Sequence, residues 1–110
     1  MNKDEVLLVL TNLPDHDSAL RIANSLIEHH VAACVNILSA CNSVYHWQGK
    51  IETSTEVPLM IKTTRAAYFQ VEKLILSQHP YELPEIIAVS ATAGLPAYLQ
   101  WVSKEILLTH

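Results

Sequence analysis

The stretch Tyr45-His46-Trp47-Gln48-Gly49-Lys50-Ile51-Glu52 reads as the tip of a long β-hairpin, with Gln48-Gly49 as a two-residue turn. Upstream, from Ala33 to Trp47, the chain is rich in Val, Ile and Ser and reads as extended. Downstream the alternation is clean. Ile51, Thr53, Thr55, Val57, Leu59 and Ile61 point one way, and Glu52, Ser54, Glu56, Pro58, Met60 and Lys62 the other. Both strands exceed the usual length of about five or six residues, so the hairpin overhangs a small domain. Pro58 cannot donate a ladder hydrogen bond, and it marks an edge or a bulge.

The elements around the hairpin follow from pattern. Val6 to Leu10 is a continuous apolar run that suits a central buried strand. Pro14, Asp15 and Asp17 open a helix in which Leu20, Ala23, Leu26, Ile27 and Val31 recur at helical spacing. A second helix is expected from near Thr64 to near Gln78, with Ala67, Val71, Leu74 and Ile75 as its apolar stripe. Ile86 to Val89 reads as another buried strand. Pro96 suits the first turn of a final helix, which turns Leu99, Val102, Ile106 and either Tyr98 or Trp101 inward. The order is β-α-β-β-α-β plus a terminal helix: an α+β, ferredoxin-like fold with an extended hairpin, in one domain over 1–110.

Composition narrows the function. Charged residues make up only 16% of the 110 residues and hydrophobic ones 50%, against about 25% charged in typical domains. A small chain so poor in charge is expected to cover apolar surface with a partner subunit. The net charge is −4 and the seven Lys and Arg are scattered, which argues against nucleic acid as a partner. No apolar run approaches the roughly 18 residues of a membrane helix. Met1-Asn2-Lys3-Asp4-Glu5 lacks the basic-then-apolar order of a secretion signal, so the expected compartment is the cytoplasm. Cys34 and Cys41, if both lie on one extended strand, stand roughly 23 Å apart. That is beyond the limit of about 7 Å for a disulfide. They are expected to be free.

Six histidines invite a metal reading. His29 and His30, adjacent on a helix, point about 100° apart and cannot chelate one ion together. His16 sits among aspartates in a first helical turn and reads as exposed; His110 is terminal. His79 differs, because it opens the segment His79-Pro80-Tyr81-Glu82-Leu83-Pro84-Glu85, a loop stiffened by two prolines. Two roles stand for it: a ligand or acid–base group on a fixed backbone, or a cap on the carbonyls of the preceding helix. Glu56, mid-strand, is either a functional carboxylate or a solvent-facing residue of the polar side. With the Gln48-Gly49 turn, Cys41 falls opposite Glu56 unless a bulge intervenes. Tyr45, Trp47 and Tyr81 are placed to line a small-molecule cleft or, the favoured reading, to anchor a subunit contact. There is no GxSxG, P-loop, GxGxxG or HExxH motif, and the two glycines are too few for phosphate cradles or nucleophile elbows. No nucleophile–base pair stands out, so the chain is not read as an enzyme.

Thr11 to Asp15, Ala32-Ala33-Cys34-Val35-Asn36, Tyr45 to Ile51, Glu56, Ile61 to Thr64 and His79 to Ile87 together resemble the CutA family of divalent-cation tolerance proteins, over roughly Val6 to Leu107. The resemblance implies a homotrimer whose long hairpins join sheets between subunits, similar to the PII signalling trimers. It also implies a link to tolerance of divalent metals, copper above all. The family's proposed metal groups fall on His79 and Glu56. Some members carry a cysteine where this chain has Thr11, and a hydroxyl replaces a thiolate poorly for Cu(I). The expected function is thus a homotrimeric divalent metal ion (copper) binding protein of metal tolerance, with no cofactor required for folding. The alternative is a PII-like signalling or anchoring trimer that takes a small molecule or partner protein without a physiological metal.

Overall fold

The computed structural model describes residues 3–108; Met1, Asn2, Thr109 and His110 lie outside the described residues. The elements are β1 (Val6–Leu13), α1 (His16–Glu28), β2 (Cys34–Ile37), β3 (Cys41–Trp47), β4 (Lys50–Thr64), α2 (Tyr68–Gln78), β5 (Ile87–Ser90) and α3 (Pro96–Glu105). The sheet is antiparallel, in the order β2-β4-β1-β5, and β3 pairs with β4. This is the expected ferredoxin-like order, with the first hairpin strand broken into β2 and β3.

The break has a cause. Ile37 pairs with Leu59, whereas Cys41 pairs with Glu56, so the β2–β3 side spends one residue more than β4 between these points. Pro58 lies opposite this bulge. Its carbonyl accepts from the Leu38 amide at 2.9 Å. In an antiparallel strand a residue's N–H and C=O face the same neighbour. The N–H that proline lacks would therefore point at the bulge, where the ladder is already interrupted. That is how a proline sits in a central strand.

The helix face of the sheet carries the core. Val9 and Leu13 of β1 and Val57, Leu59 and Ile61 of β4 pack against Ile22 and Leu26 of α1 and Val71 and Ile75 of α2. Asp15 caps α1 by accepting from the Ser18 amide at 2.8 Å. The buried stripe of α1 is Ala19, Ile22, Ala23 and Leu26; Leu20 and Ile27 point outward, contrary to the spacing reading, and Val31 lies beyond the helix. One 3₁₀ turn, Arg65–Ala67, precedes α2, which starts later than expected.

The opposite face of the sheet is only partly covered. α3 packs on β1 and β4, where Val6, Thr64 and Val102 are buried. Farther along, Leu8 lies between Lys62 and Val89, and Leu10 between Met60 and Ile87, in an open apolar band. Ile87 and Val89 are half exposed, so β5 is an edge strand, not the buried strand expected. Neither Tyr98 nor Trp101 turns inward; both stay about 40% exposed and pack on each other at 5.6 Å.

Candidate functional site

The site forms where the end of β1, the inner part of the hairpin and the 79–85 loop meet. His79 ends α2 because a residue before proline is driven to extended backbone, here φ −74°, ψ 131°. That turn carries the ring back over the sheet. Nδ1 accepts from the Tyr81 amide at 3.1 Å, so the proton resides on Nε2, which donates to the Asn12 carbonyl at 2.8 Å. The ring also packs on Tyr81, with centroids 4.8 Å apart. Burial pushes the His79 pKa below its usual value, against smaller opposite effects from the Asn12 bond and the Glu56 charge. The imidazole is thus held neutral. Of the two roles read from sequence, capping of its own helix is not what the ring does; it ties the loop to β1.

Glu56 is 8% exposed, which corrects the solvent-facing reading. It pairs with Cys41, as the turn register requires. Its carboxylate is hydrogen-bonded by the Tyr81 hydroxyl. Burial first, and then that bond and the Glu56 charge, push the Tyr81 pKa up to about 12. The phenol is a fixed donor over the neutral pH range. Tyr45, whose hydroxyl lies 2.7 Å from Ser54 Oγ, stands next to it on the hairpin.

Thr11 does not join this group. It alternates with Val9 and Leu13 toward the helices and pairs with Leu59, whereas Glu56 projects from the opposite face of β4. Thr11 is fully buried, and its Oγ1 has no hydrogen-bond partner among the described residues. Thr63, on the same face, satisfies its hydroxyl by donating to the Val31 carbonyl at 2.6 Å. Thr11 and Glu56 thus stand on opposite faces of the sheet. Among the described residues, no three His, Cys, Asp or Glu side chains converge as a metal cage. The donors at hand are a His79 nitrogen occupied by an amide and a Glu56 carboxylate that keeps free lone pairs. They do not form a closed cage within one protomer.

The other candidates are plain. His16, His29 and His30 are exposed at the ends of α1, and His29 Nδ1 donates to the Ser25 carbonyl at 2.8 Å. His30 adopts φ 57° just past the helix. Cys34 and Cys41 are free; they pair with Lys62 and Glu56, six positions apart on β4, or about 20 Å.

Beside Glu56 opens a cleft of about 610 Å³. Ser43, Tyr45, Trp47 and Glu56 share one face of the hairpin and form its floor. Tyr81, Leu83 and Glu85 form the facing wall, with Asn12 at the end. Sequence reasoning named the three aromatics but missed Asn12 and Glu85. Asn12 donates to Glu85 at 3.4 Å, and its carbonyl anchors His79. Its even position on β1, the same face as Met60, was the available signal.

With this geometry in view, comparison with known proteins is specific. A family model described as CutA1 divalent ion tolerance protein matches residues 7–105. The divalent-cation tolerance protein CutA of Thermus thermophilus is 38% identical over 88% of this chain and 94% of its own. The chloroplastic CutA of Arabidopsis thaliana is 34% identical over 89% of this chain, which spans about half (54%) of that relative. The crystal structure of CutA1 from Shewanella sp. SIB1 superposes with a TM-score of 0.91 at 44% identity, covering 96% of this chain and 98% of that one.

Proposed function

The chain belongs to the CutA1 divalent ion tolerance family, and from that premise we propose that it is a cytoplasmic homotrimer that binds divalent metal ions, copper foremost, in metal tolerance. The observation that carries the reading is the neutral imidazole of His79 held within electrostatic reach of the buried Glu56 carboxylate. Only neutral imidazole coordinates a metal, so burial has already removed the competing proton. Imidazole and carboxylate suit Cu²⁺ better than Cu⁺. His79 Nδ1 would exchange the Tyr81 amide for the ion, which ties ion capture to the position of the 79–85 loop. Further ligands come from water or a partner subunit. The task is binding rather than catalysis.

The open band of Leu8, Leu10, Met60, Ile87 and Val89 supports the trimer, since a monomer would leave it in water. Electron paramagnetic resonance of the Cu²⁺-loaded protein tests the site. Nitrogen hyperfine structure from one imidazole is expected in the wild type and not in His79→Ala; an unchanged spectrum counts against the reading.

A second reading, a PII-like trimer that takes a small molecule, is favoured by the cleft itself. Its volume lies within the roughly 300–1,000 Å³ of ordinary ligand pockets.

A further inference from the structure

Resting on the small-molecule reading of the cleft, we propose that its ligand is a small organic cation: an ammonium or guanidinium head on a flat apolar body. Among the described residues of the protomer, three charged side chains line the cleft, Glu56, Glu82 and Glu85, and all are carboxylates, with no Lys, Arg or His beside them. Three aromatic rings, Tyr45, Trp47 and Tyr81, line it as well. The face of an aromatic ring attracts cations through its quadrupole, Trp most of all. An anion would meet only like charge.

Glu56 gives the site its focus. It is 8% exposed, on the floor, and the Tyr81 hydroxyl occupies one of its roughly four acceptor positions. Glu56 is among the residues that line the cleft. A carboxylate so shielded from water holds an ion pair more strongly than a surface one. The exposed Glu85 and Glu82 at the rim add steering more than affinity. A hard, oxygen-seeking ion such as Ca²⁺ or Mg²⁺ is the poorer occupant of the cleft. It demands several converging hard ligands, which the described residues do not provide. An organic cation is weakly hydrated and needs only one good carboxylate and aromatic walls. Tyr45 and Trp47, two residues apart on one strand face and each about 40% exposed, offer a surface for a flat body.

Trp47 makes the test direct, because the only other tryptophan, Trp101, lies on α3. In a Trp101→Phe background, fluorescence is titrated with phenethylammonium, its neutral isostere phenethyl alcohol, and the anion phenylacetate. Phenethylammonium is expected to bind saturably, about ten-fold tighter than the alcohol, with phenylacetate weakest. Glu56→Gln should cost about ten-fold in affinity for the cation and little for the alcohol. Glu85→Gln, at an exposed position that tolerates change, should cost about three-fold and serves if the buried variant misfolds. Equal affinity for the three probes overturns the cation assignment while leaving a small-molecule site. No saturable response to any probe overturns both. Cation binding indifferent to Glu56→Gln and Glu85→Gln likewise removes the carboxylates as its basis.

Discussion

His79 Nε2 donates to the carbonyl of Asn12 at 2.8 Å, joining residues 67 positions apart. The bond pins the 79–85 loop against the end of β1. The Tyr81 amide on the other ring nitrogen completes the clamp. The same ring therefore sets the cleft wall that the 79–85 loop carries.

Protonating His79 should loosen the fold. Its pKa is lowered from 6.5 in the folded protein, chiefly by burial, so the unfolded chain binds the proton more readily. The contribution of this group to stability is fully present above pH 6.5 and is lost as pH falls through the depressed folded-state value. Urea midpoints across pH 8 to 4 in wild type and His79→Gln should diverge above that window and approach each other below it. Parallel profiles would show that the ring is not the titrating element.

Tyr81→Phe removes the donor to a buried carboxylate and should destabilise by about 1–3 kcal/mol. The Tyr81 pKa, raised from 10.0 to about 12, makes its contribution complete below pH 10 and lost as pH rises through about 12. Ultraviolet titration should show one tyrosine ionising last, and that step should vanish in the Phe variant.

Thr11→Val replaces a buried, unpartnered hydroxyl by a methyl group of similar shape. A stabilisation of about 1 kcal/mol is expected from chemical denaturation. Thr11→Cys should leave copper affinity unchanged, because this side chain faces the helices. A gain in copper affinity would show that position 11 reaches the ion.

Ile87→Lys places a charge in the open apolar band without touching the core, since Ile87 is 51% exposed in the protomer. Light scattering should return smaller species while circular dichroism stays native. Leu59→Asp, at a core position 1% exposed, should abolish folding and assembly together. An Ile87→Lys protein that remains a full trimer would move the interface elsewhere.

The hairpin was legible in sequence because strand alternation is a local signal. Val57, Leu59 and Ile61 went to the core, and the Gln48-Gly49 turn correctly placed Cys41 against Glu56. Pro58 announced a bulge but not which strand would carry it, since the extra residue is on its partner. The burial of Glu56 was not legible, because Tyr81, which supplies its hydrogen bond, is distant in sequence and arrives through a loop. The phase of α1 was misjudged at Leu20 and Ile27: an apolar-rich helix offers more than one stripe, and the tertiary contacts of Ile22 and Leu26 decide. Thr11 was set with His79 and Glu56 by family resemblance, although the alternation of β1 already put it with Val9 and Leu13.

Calorimetric titration of Cu²⁺ into the wild-type oligomer and into His79→Ala at pH 7 tests the central claim most directly. The expected result is one ion per protomer in the wild type, about ten-fold weaker binding in the variant at unchanged oligomer size, and wild-type affinity that falls as pH drops through the His79 value, which burial holds below its usual 6.5. Equal Cu²⁺ affinity in the two proteins would contradict the account and remove His79 from the site.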